Sequence, residues 1–494
     1  ADSADPGDMY TSTAMSMARL YGRSLTMFKP GTTTVVPDLA ASLGKTTDGR
    51  TWTYTLRAGL KFATGQPISA KDVKYAILRS MDERLPNGSS YFDTQLDLPD
   101  GYRGLPADTR PVTAIETPDD RTIVFRLKQP MAEFDYVATL PETIPVPQPA
   151  DPKTYRANVV SSGPYMFDGA ATADHLKLKR NPYWSAQTDP NRPALPDAYD
   201  IAANVTDGDD RLINGTSEYG APIPATQAAK LAPVKDRVDT VTSIVRYLAI
   251  NPQAGALTNT ECRLAVAAAL DLDAIRLALG SGDHHGDVPT SLIPPYVPGN
   301  HFRTPGHDVE AARAHLTKCG KPKGFSTTFV YRDQPADQAL ALAVQASLAK
   351  VGILVTLKQV DSSTFLGKTG GNPSWLKEQQ VGLIPGRWLP DFPTSAGFLA
   401  PLVDSRQILE NGYSLNVSVR LFAVDKLIDQ ARAELDRAKR DALWYQIEQQ
   451  VAESGELVPL LWDRSILLRG KDATNQHVDP VYQGYDLLTM GVRS

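Results

Sequence analysis

Stretches of period two and stretches of helical period succeed one another along the whole chain. Thr51 to Arg57 sets Trp52, Tyr54 and Leu56 on one side and Thr51, Thr53 and Thr55 on the other, the pattern of a half-buried strand. Gly65-Gln66-Pro67 then signals a turn. Ser69, followed three residues later by Asp72, reads as a capping box opening a helix with Val73, Ala76 and Ile77 on one face. Thr122 to Leu127 (TIVFRL) and His175 to Arg180 (HLKLKR) alternate again, and Asn181-Pro182-Tyr183-Trp184 closes the latter with a turn. Pro141 to Pro152 (PETIPVPQPADP) holds too much proline for an interior helix or a central strand and reads as a boundary.

The second half is α/β in character. Glu261 to Leu279 (ECRLAVAAALDLDAIRLAL) reads as one long helix. Another runs from an Asp308 cap to Cys319, with Gly320 as its stop. Ser326 to Tyr331 predicts a strand, Ala336 to Lys350 a helix and Ile353 to Leu357 a strand, the order of a right-handed crossover in a partly parallel sheet. Asp425 to Leu435 and Asp436 to Ala452 predict two consecutive helices, each opened by an Asp cap. No internal repeat or low-complexity tract stands out. The pattern predicts at least two α/β lobes and a smaller region near the front, which suits 494 residues.

Composition narrows the function classes. Apolar residues at 42% and charged residues at 22% exclude a disordered or fibrous chain. The 51 basic and 56 acidic side chains leave a formal charge of −5, and no Lys/Arg run reaches five, so nucleic acid is not an expected partner. No apolar stretch approaches the roughly 18–20 residues of a membrane span. The opening ADSADPGDMY does not start with Met and carries no basic-then-apolar export segment, which we read as a mature or trimmed form of an exported protein. Cys262 and Cys319 are the two cysteines, too few for a disulfide scaffold or a structural zinc site. One bridge between them and two free thiols are both open readings, since spacing does not set the Cα separation.

Catalytic signatures are missing: there is no G-x-S-x-G elbow, no P-loop and no H-E-x-x-H. His284, His285, His301 and His307 fall near Asp283, Asp287 and Asp308 in a Pro- and Gly-rich segment, donors that suit zinc or nickel. Their spacing matches no helix-face ligand pair, and we read them as solvated loop residues. Asp209-Asp210 reads likewise as a hydrated surface pair. No cofactor, metal or enzymatic activity is expected.

Several segments in order carry a family resemblance. They are Leu25-Thr26 with Val36-Pro37-Asp38-Leu39-Ala40; TWTYTLRAGLKFATGQPISAKDVKYAILR from Thr51; Ser162-Gly163-Pro164-Tyr165; and Arg180-Asn181-Pro182-Tyr183-Trp184. There follow YLAINPQ from Tyr247, CRLAVAAALDLDAI from Cys262, SLIPPYVPG from Ser291, Asp308 to Gly320, and Ala339 to Leu357. Trp388-Leu389-Pro390-Asp391-Phe392 and ALWYQIEQQVAESGELVPLLWD complete the set. From about Asp5 onward the chain resembles the family 5 solute-binding proteins, the oligopeptide and dipeptide receptors of bacterial ABC importers. Its Ala-, Asp- and Pro-rich style resembles actinobacterial members, some of them from antibiotic or clavulanic acid gene clusters.

The resemblance implies a two-lobed α/β periplasmic-binding-protein fold (type II, cluster C) with an extra domain inserted in the first lobe. Residues 1–34, 156–250 and 470–494 would form the first lobe, 35–155 the insert and 251–469 the second lobe. Hinge closure would bury the ligand. An extended peptide offers the same backbone donors and acceptors whatever its side chains, so strand-like pairing gives affinity without reading sequence. Its α-ammonium needs a carboxylate once buried. In the family that partner is the Asp of a W-x-x-D-[YF] segment, which makes Asp391 the candidate amine anchor. Trp388 is expected to line a side-chain pocket or to pack beneath the site, and Arg387 to meet a ligand carboxylate or to neutralise Asp391. Met9, Tyr10, Thr11 and Ser12 align with a stretch that lines the cleft through its backbone, and Tyr91 with an aromatic wall of the insert. Pro385 stands where some oligopeptide binders carry an Arg for a short peptide's C-terminus, a departure that argues against a tripeptide preference.

Three readings follow. The chain is a peptide receptor of an ABC importer; or it binds a small amine-bearing solute such as arginine, or a metal chelate; or, from another class, it hydrolyses peptides. The first carries with it permease and ATPase subunits on separate chains, a monomeric state, an extracytoplasmic location and an N-terminal lipid on a segment outside this sequence.

Overall fold

The computed structural model describes residues 3–172, 175–202, 205–223, 225–280 and 286–493. They divide into two compact units: Ala1–Ile223, Ala229–Val241 and Leu467–Ser494 form the first, and Pro224–Ala228 with Thr242–Ile466 the second.

The first unit is built of small antiparallel sheets. Strands β1 (Thr26–Phe28) and β2 (Val35–Pro37) pair with each other. In β3 (Thr51–Thr55), Trp52 and Tyr54 are buried while their threonine neighbours are not, as the alternation requires. Between β4 (Ile115–Glu116) and β3 lies β5 (Thr122–Arg126), paired antiparallel to both. Trp52, Tyr54, Phe92, Phe125 and Phe134 pack ring on ring over this sheet, with centroids 5.2–6.5 Å apart. A second sheet holds β6 (Tyr165–Phe167), β7 (His175–Arg180) and β8 (Ala198–Ala202) in that order. The capping box is present: the Ser69 backbone donates to Asp72 at 2.7 Å, and the helix Ala70–Ser80 follows.

Buried ion pairs tie the unit together. Arg79 donates twice to Asp5, at 2.9 and 2.7 Å, with both side chains fully buried. Asp38 sits between Arg23 and Arg192, each at 2.7 Å. Removing one member of such a pair strands a buried charge and costs about 3–5 kcal/mol. The proline-rich stretch forms one short turn, Pro141–Thr143, and remains inside the first unit.

A five-stranded mixed sheet organises the second unit. In spatial order it runs β11 (Leu354–Val360), β10 (Ser326–Arg332), β12 (Val381–Trp388), β9 (Val238–Ile250) and β13 (Leu457–Leu468). β10 is parallel to both β11 and β12, and β12 is antiparallel to β9. Successive residues serve two separate cores. Leu248 and Ile250 of β9, Phe329 of β10 and Leu383 of β12 join one; Val245, Tyr247, Val330, Val381 and Ile384 join the other. Strands buried on both faces explain the near-continuous apolar runs.

The chain departs from expectation in two helices. The run from Glu261 forms two helices, Thr260–Ala269 and Leu272–Leu279, because Leu270 turns to an extended conformation and Asp271 caps the second by accepting from Ala274 N. Asp425 opens nothing: its helix is Phe422–Ala433, with Leu421 as a cap lacking a side-chain bond. There Asp425 instead accepts from the Ser405 backbone at 2.9 Å. The next helix, Arg437–Ser454, does start on an Asp436 cap. Cys262 and Cys319 form a disulfide across helices Thr260–Ala269 and Val309–Lys318, with Cα atoms 5.5 Å apart.

Candidate functional site

Parallel strands end on the same edge of their sheet, so the carboxyl ends of β10, with Arg332, and of β12, with Arg387 and Trp388, come out on one edge. Sheets of this kind gather ligands at the carboxyl ends of their strands. Here a small cavity, open to solvent, lies within the second unit. Tyr247, Phe365, Ile384 and Tyr413 supply apolar wall, and the two charged residues lining it are Arg332 and Arg387.

Both guanidiniums reach one carboxylate. Asp337, 1% exposed in the first turn of the helix Pro335–Ala349, lies 3.2 Å from Arg332 and 3.4 Å from Arg387. The helix N-terminus favours that negative charge. One carboxylate shared by two cations leaves a net positive charge facing the cavity. Arg332 also lies 4.0 Å over the Phe365 ring, which holds its plane in place. Burial lowers the Arg387 guanidinium from its usual value; Asp337 opposes the shift, and Arg246 and Arg332 add to it. Arg246 itself is paired to Asp463 at 2.8 Å. Gly386 is required by the wall: a Cβ there would sit 2.1 Å from the Tyr247 ring.

Of the second-unit candidates, Arg387 lines this cavity. Trp388 instead packs against the core and donates from Nε1 to the Phe398 carbonyl at 3.1 Å. Asp391 is half-buried three residues beyond β12, in the turn before the helix Ser395–Val403. Arg332, Asp337, Tyr247 and Tyr413 escaped sequence reasoning; a charged residue at the carboxyl end of a predicted parallel strand was the signal for Arg332.

In the first unit, the Met9 side chain is fully buried in a core with Ala14, Ala18 and Leu20. Tyr10 is half-buried, Thr11 caps the helix Ser12–Tyr21 by accepting from Ala14 N at 3.4 Å, and Ser12 begins it. Tyr91, half-buried, starts the short helix Tyr91–Gln95.

The histidine segment splits. His284, His285 and Asp283 lie outside the described residues. Asp287 pairs with Arg464 at 2.8 Å, Asp308 caps its helix, His307 is exposed and His301 contacts the Val297 carbonyl at 2.8 Å. Among the described residues no three His, Cys, Asp or Glu gather as metal ligands, and no helix is long and apolar enough to cross a membrane.

Comparison with known proteins agrees with this architecture. Residues 34–409 match the model of bacterial extracellular solute-binding proteins, family 5 (middle). The probable D,D-dipeptide-binding periplasmic protein DdpA of Escherichia coli (strain K12) is 26% identical over 484 residues, covering 93% of this chain and 86% of its own. The periplasmic oligopeptide-binding protein OppA of Salmonella typhimurium (strain LT2) is 27% identical over 442 residues, 84% of this chain and 77% of its own. The solved structure of clavulanic acid biosynthesis oligopeptide binding protein 2 superposes with a TM-score of 0.91 at 34% identity, covering 100% of this chain and 94% of its own. The expected two-lobed α/β fold holds, and the names of these relatives are those of binding proteins. The chain belongs to the bacterial extracellular solute-binding proteins, family 5.

Proposed function

We propose that this protein is the extracytoplasmic receptor of an ABC importer, that it captures a peptide without reacting on it, and that it hands the cargo to permease and ATPase subunits on separate chains. Membership of the family over residues 34–409 is the observation that carries this reading. In it, Asp391 takes the cargo's α-ammonium, while Arg332 and Arg387 take a carboxylate, since a buried ionic end needs an opposite charge with directed donors. The residues 35–155 form the inserted domain, the protein acts as a monomer, and an N-terminal lipid tethers it to the cell surface. Incubation with a mixture of short peptides and free amino acids, followed by mass spectrometry of bound and free fractions, tests the reading. Retention of intact peptides is the expected result; accumulation of fragments contradicts it in favour of a hydrolase, and retention of single amino acids alone favours a receptor for a small amine-bearing solute.

A further inference from the structure

Apart from two tyrosine hydroxyls, the wall of the second-unit cavity offers a polar ligand little beyond its two arginines. Tyr247, Phe365 and Ile384 are its apolar part. The Ser414 hydroxyl also lines it but is already engaged, accepting from the Leu409 backbone at 2.7 Å and donating to the Gln407 carbonyl at 3.3 Å. The guanidiniums are the reverse. Arg332 spends only Nη1, on Asp337, and Arg387 only Nη2, shared between Asp337 and Gln334 at 3.4 Å. Their other N–H groups have no partner among the described residues.

Two large apolar side chains in the same lining stand half out of the protein. Leu366, in the helix Ser362–Lys368, is 48% exposed, and Tyr413 is 46% exposed. A single exposed apolar residue is ordinary; a pair at one mouth, beside unspent donors, marks a binding surface. Main-chain hydrogen bonds hold both in place. Gly371 donates to the Phe365 carbonyl at 2.9 Å, and Ser414 donates to the Gly371 carbonyl at 2.8 Å, so the Tyr413 segment is tied to the turn that follows Leu366. Glu410 adds a second tie: its carbonyl accepts from the Ser374 backbone at 2.9 Å, and its side chain pairs with Arg420 at 2.9 Å. A rim fixed in this way loses little freedom when a ligand is laid against it.

Charge and polarity then select the ligand group. Next to a carboxylate held by the arginines, an acidic side chain would compete for the same donors, and a cationic one would face two guanidiniums balanced by one carboxylate. A neutral polar side chain would give up water for a wall with few partners, whereas an apolar one gains by leaving water. We propose that Leu366 and Tyr413 form a specificity site for the apolar side chain of the cargo's carboxyl-terminal residue, whose carboxylate Arg332 and Arg387 hold. The inference rests on the peptide-receptor reading and narrows its substrate class to peptides that end in an aliphatic or aromatic residue.

The test uses unblocked peptides of two to five residues that differ only in the last residue (Leu, Phe, Ser, Gln, Asp or Lys), each as free acid and as amide. Free leucine and phenylalanine serve as separate probes. Competitive retention is read by mass spectrometry on the full chain and on the double variant Leu366→Ser, Tyr413→Ser. The wild type should retain Leu- and Phe-ended free acids over Ser- and Gln-ended ones by about tenfold, the factor given by roughly 60 Å² of apolar surface leaving water. The double variant should erase that preference while free acids stay ahead of amides. Peptides retained without the preference, a preference that survives in the double variant, or one equally strong among amides overturns the proposal and leaves the receptor reading intact. Leucine or phenylalanine retained by the wild type and lost from the double variant, with no peptide retained, upholds the site and overturns the peptide reading. Retention of no probe overturns both. Should the double variant not fold, each single variant is read by the same criteria.

Discussion

Arg387→Met separates binding from folding at the two-arginine cavity. The ion pair lost in the folded protein is weak: Arg387 stands 3.4 Å from Asp337 with a third of its side chain exposed, and Asp337 keeps Arg332 at 3.2 Å. Such a pair contributes about 0–1 kcal/mol to stability. A cargo carboxylate at roughly 4 Å from the guanidinium gains about 4 kcal/mol of Coulomb energy at an effective dielectric of about 20, before desolvation is subtracted. What survives as a charge-assisted hydrogen bond is about 1.5–3 kcal/mol, or roughly a 10- to 100-fold loss of affinity. Matched peptide mixtures, one with free C-termini and one amidated, should be titrated by competitive retention against wild type and variant. Free-acid peptides should lose that factor and amidated ones should be nearly unchanged, while the melting temperature stays within a few degrees. Equal losses for both mixtures, or loss accompanied by unfolding, refute the assignment of Arg387 to a cargo carboxylate.

Asp391→Asn should weaken free-amino peptides by about 2–4 kcal/mol in calorimetric titration, as expected for one lost partner of a buried charge pair, and N-acetylated peptides far less. Replacing Cys262 and Cys319 together by serine frees a loop spanned by 57 residues, and the chain-entropy relation puts the loss near 4 kcal/mol, measurable by urea unfolding. Glu448, fully buried, accepts from the backbones of Leu292, Ile293 and Phe302, and burial pushes it up to about 7 despite those donors. Its folded value lies above the unfolded one of 4.5, so its contribution is fully present below pH 4.5 and is lost as pH rises through about 7. Stability measured by denaturant unfolding should fall by up to about 1.4 kcal/mol per pH unit across that window, and Glu448→Gln should flatten the slope.

What the sequence disclosed followed the range of the interactions involved. The Ser69–Asp72 box and the Trp52/Tyr54 alternation are made within a few residues, and both stand where their patterns put them. The break at Leu270 was hidden because good helix formers flank it on both sides, so Asp271 read as an interior residue and not as a cap. Phe422 starts its helix 78% exposed and with no capping side chain before it, a start without a local signal. Motif resemblance singled out Arg387, which lines the cavity, but its companion Arg332 lies 55 positions earlier and arrives only through the parallel pairing of β10 with β12. Asp337, which binds both guanidiniums, is one acidic residue in an ordinary first turn and carries no pattern of its own.

The central claim, capture of a peptide without reaction on it, is met most directly by native mass spectrometry of the protein purified gently from its own cells, with the released cargo sequenced. Intact peptides with a free amino terminus, bound one per chain and lost from Asp391→Asn, are the predicted result. A cargo with no amino group, or a recovered product smaller than the molecule supplied, would contradict it.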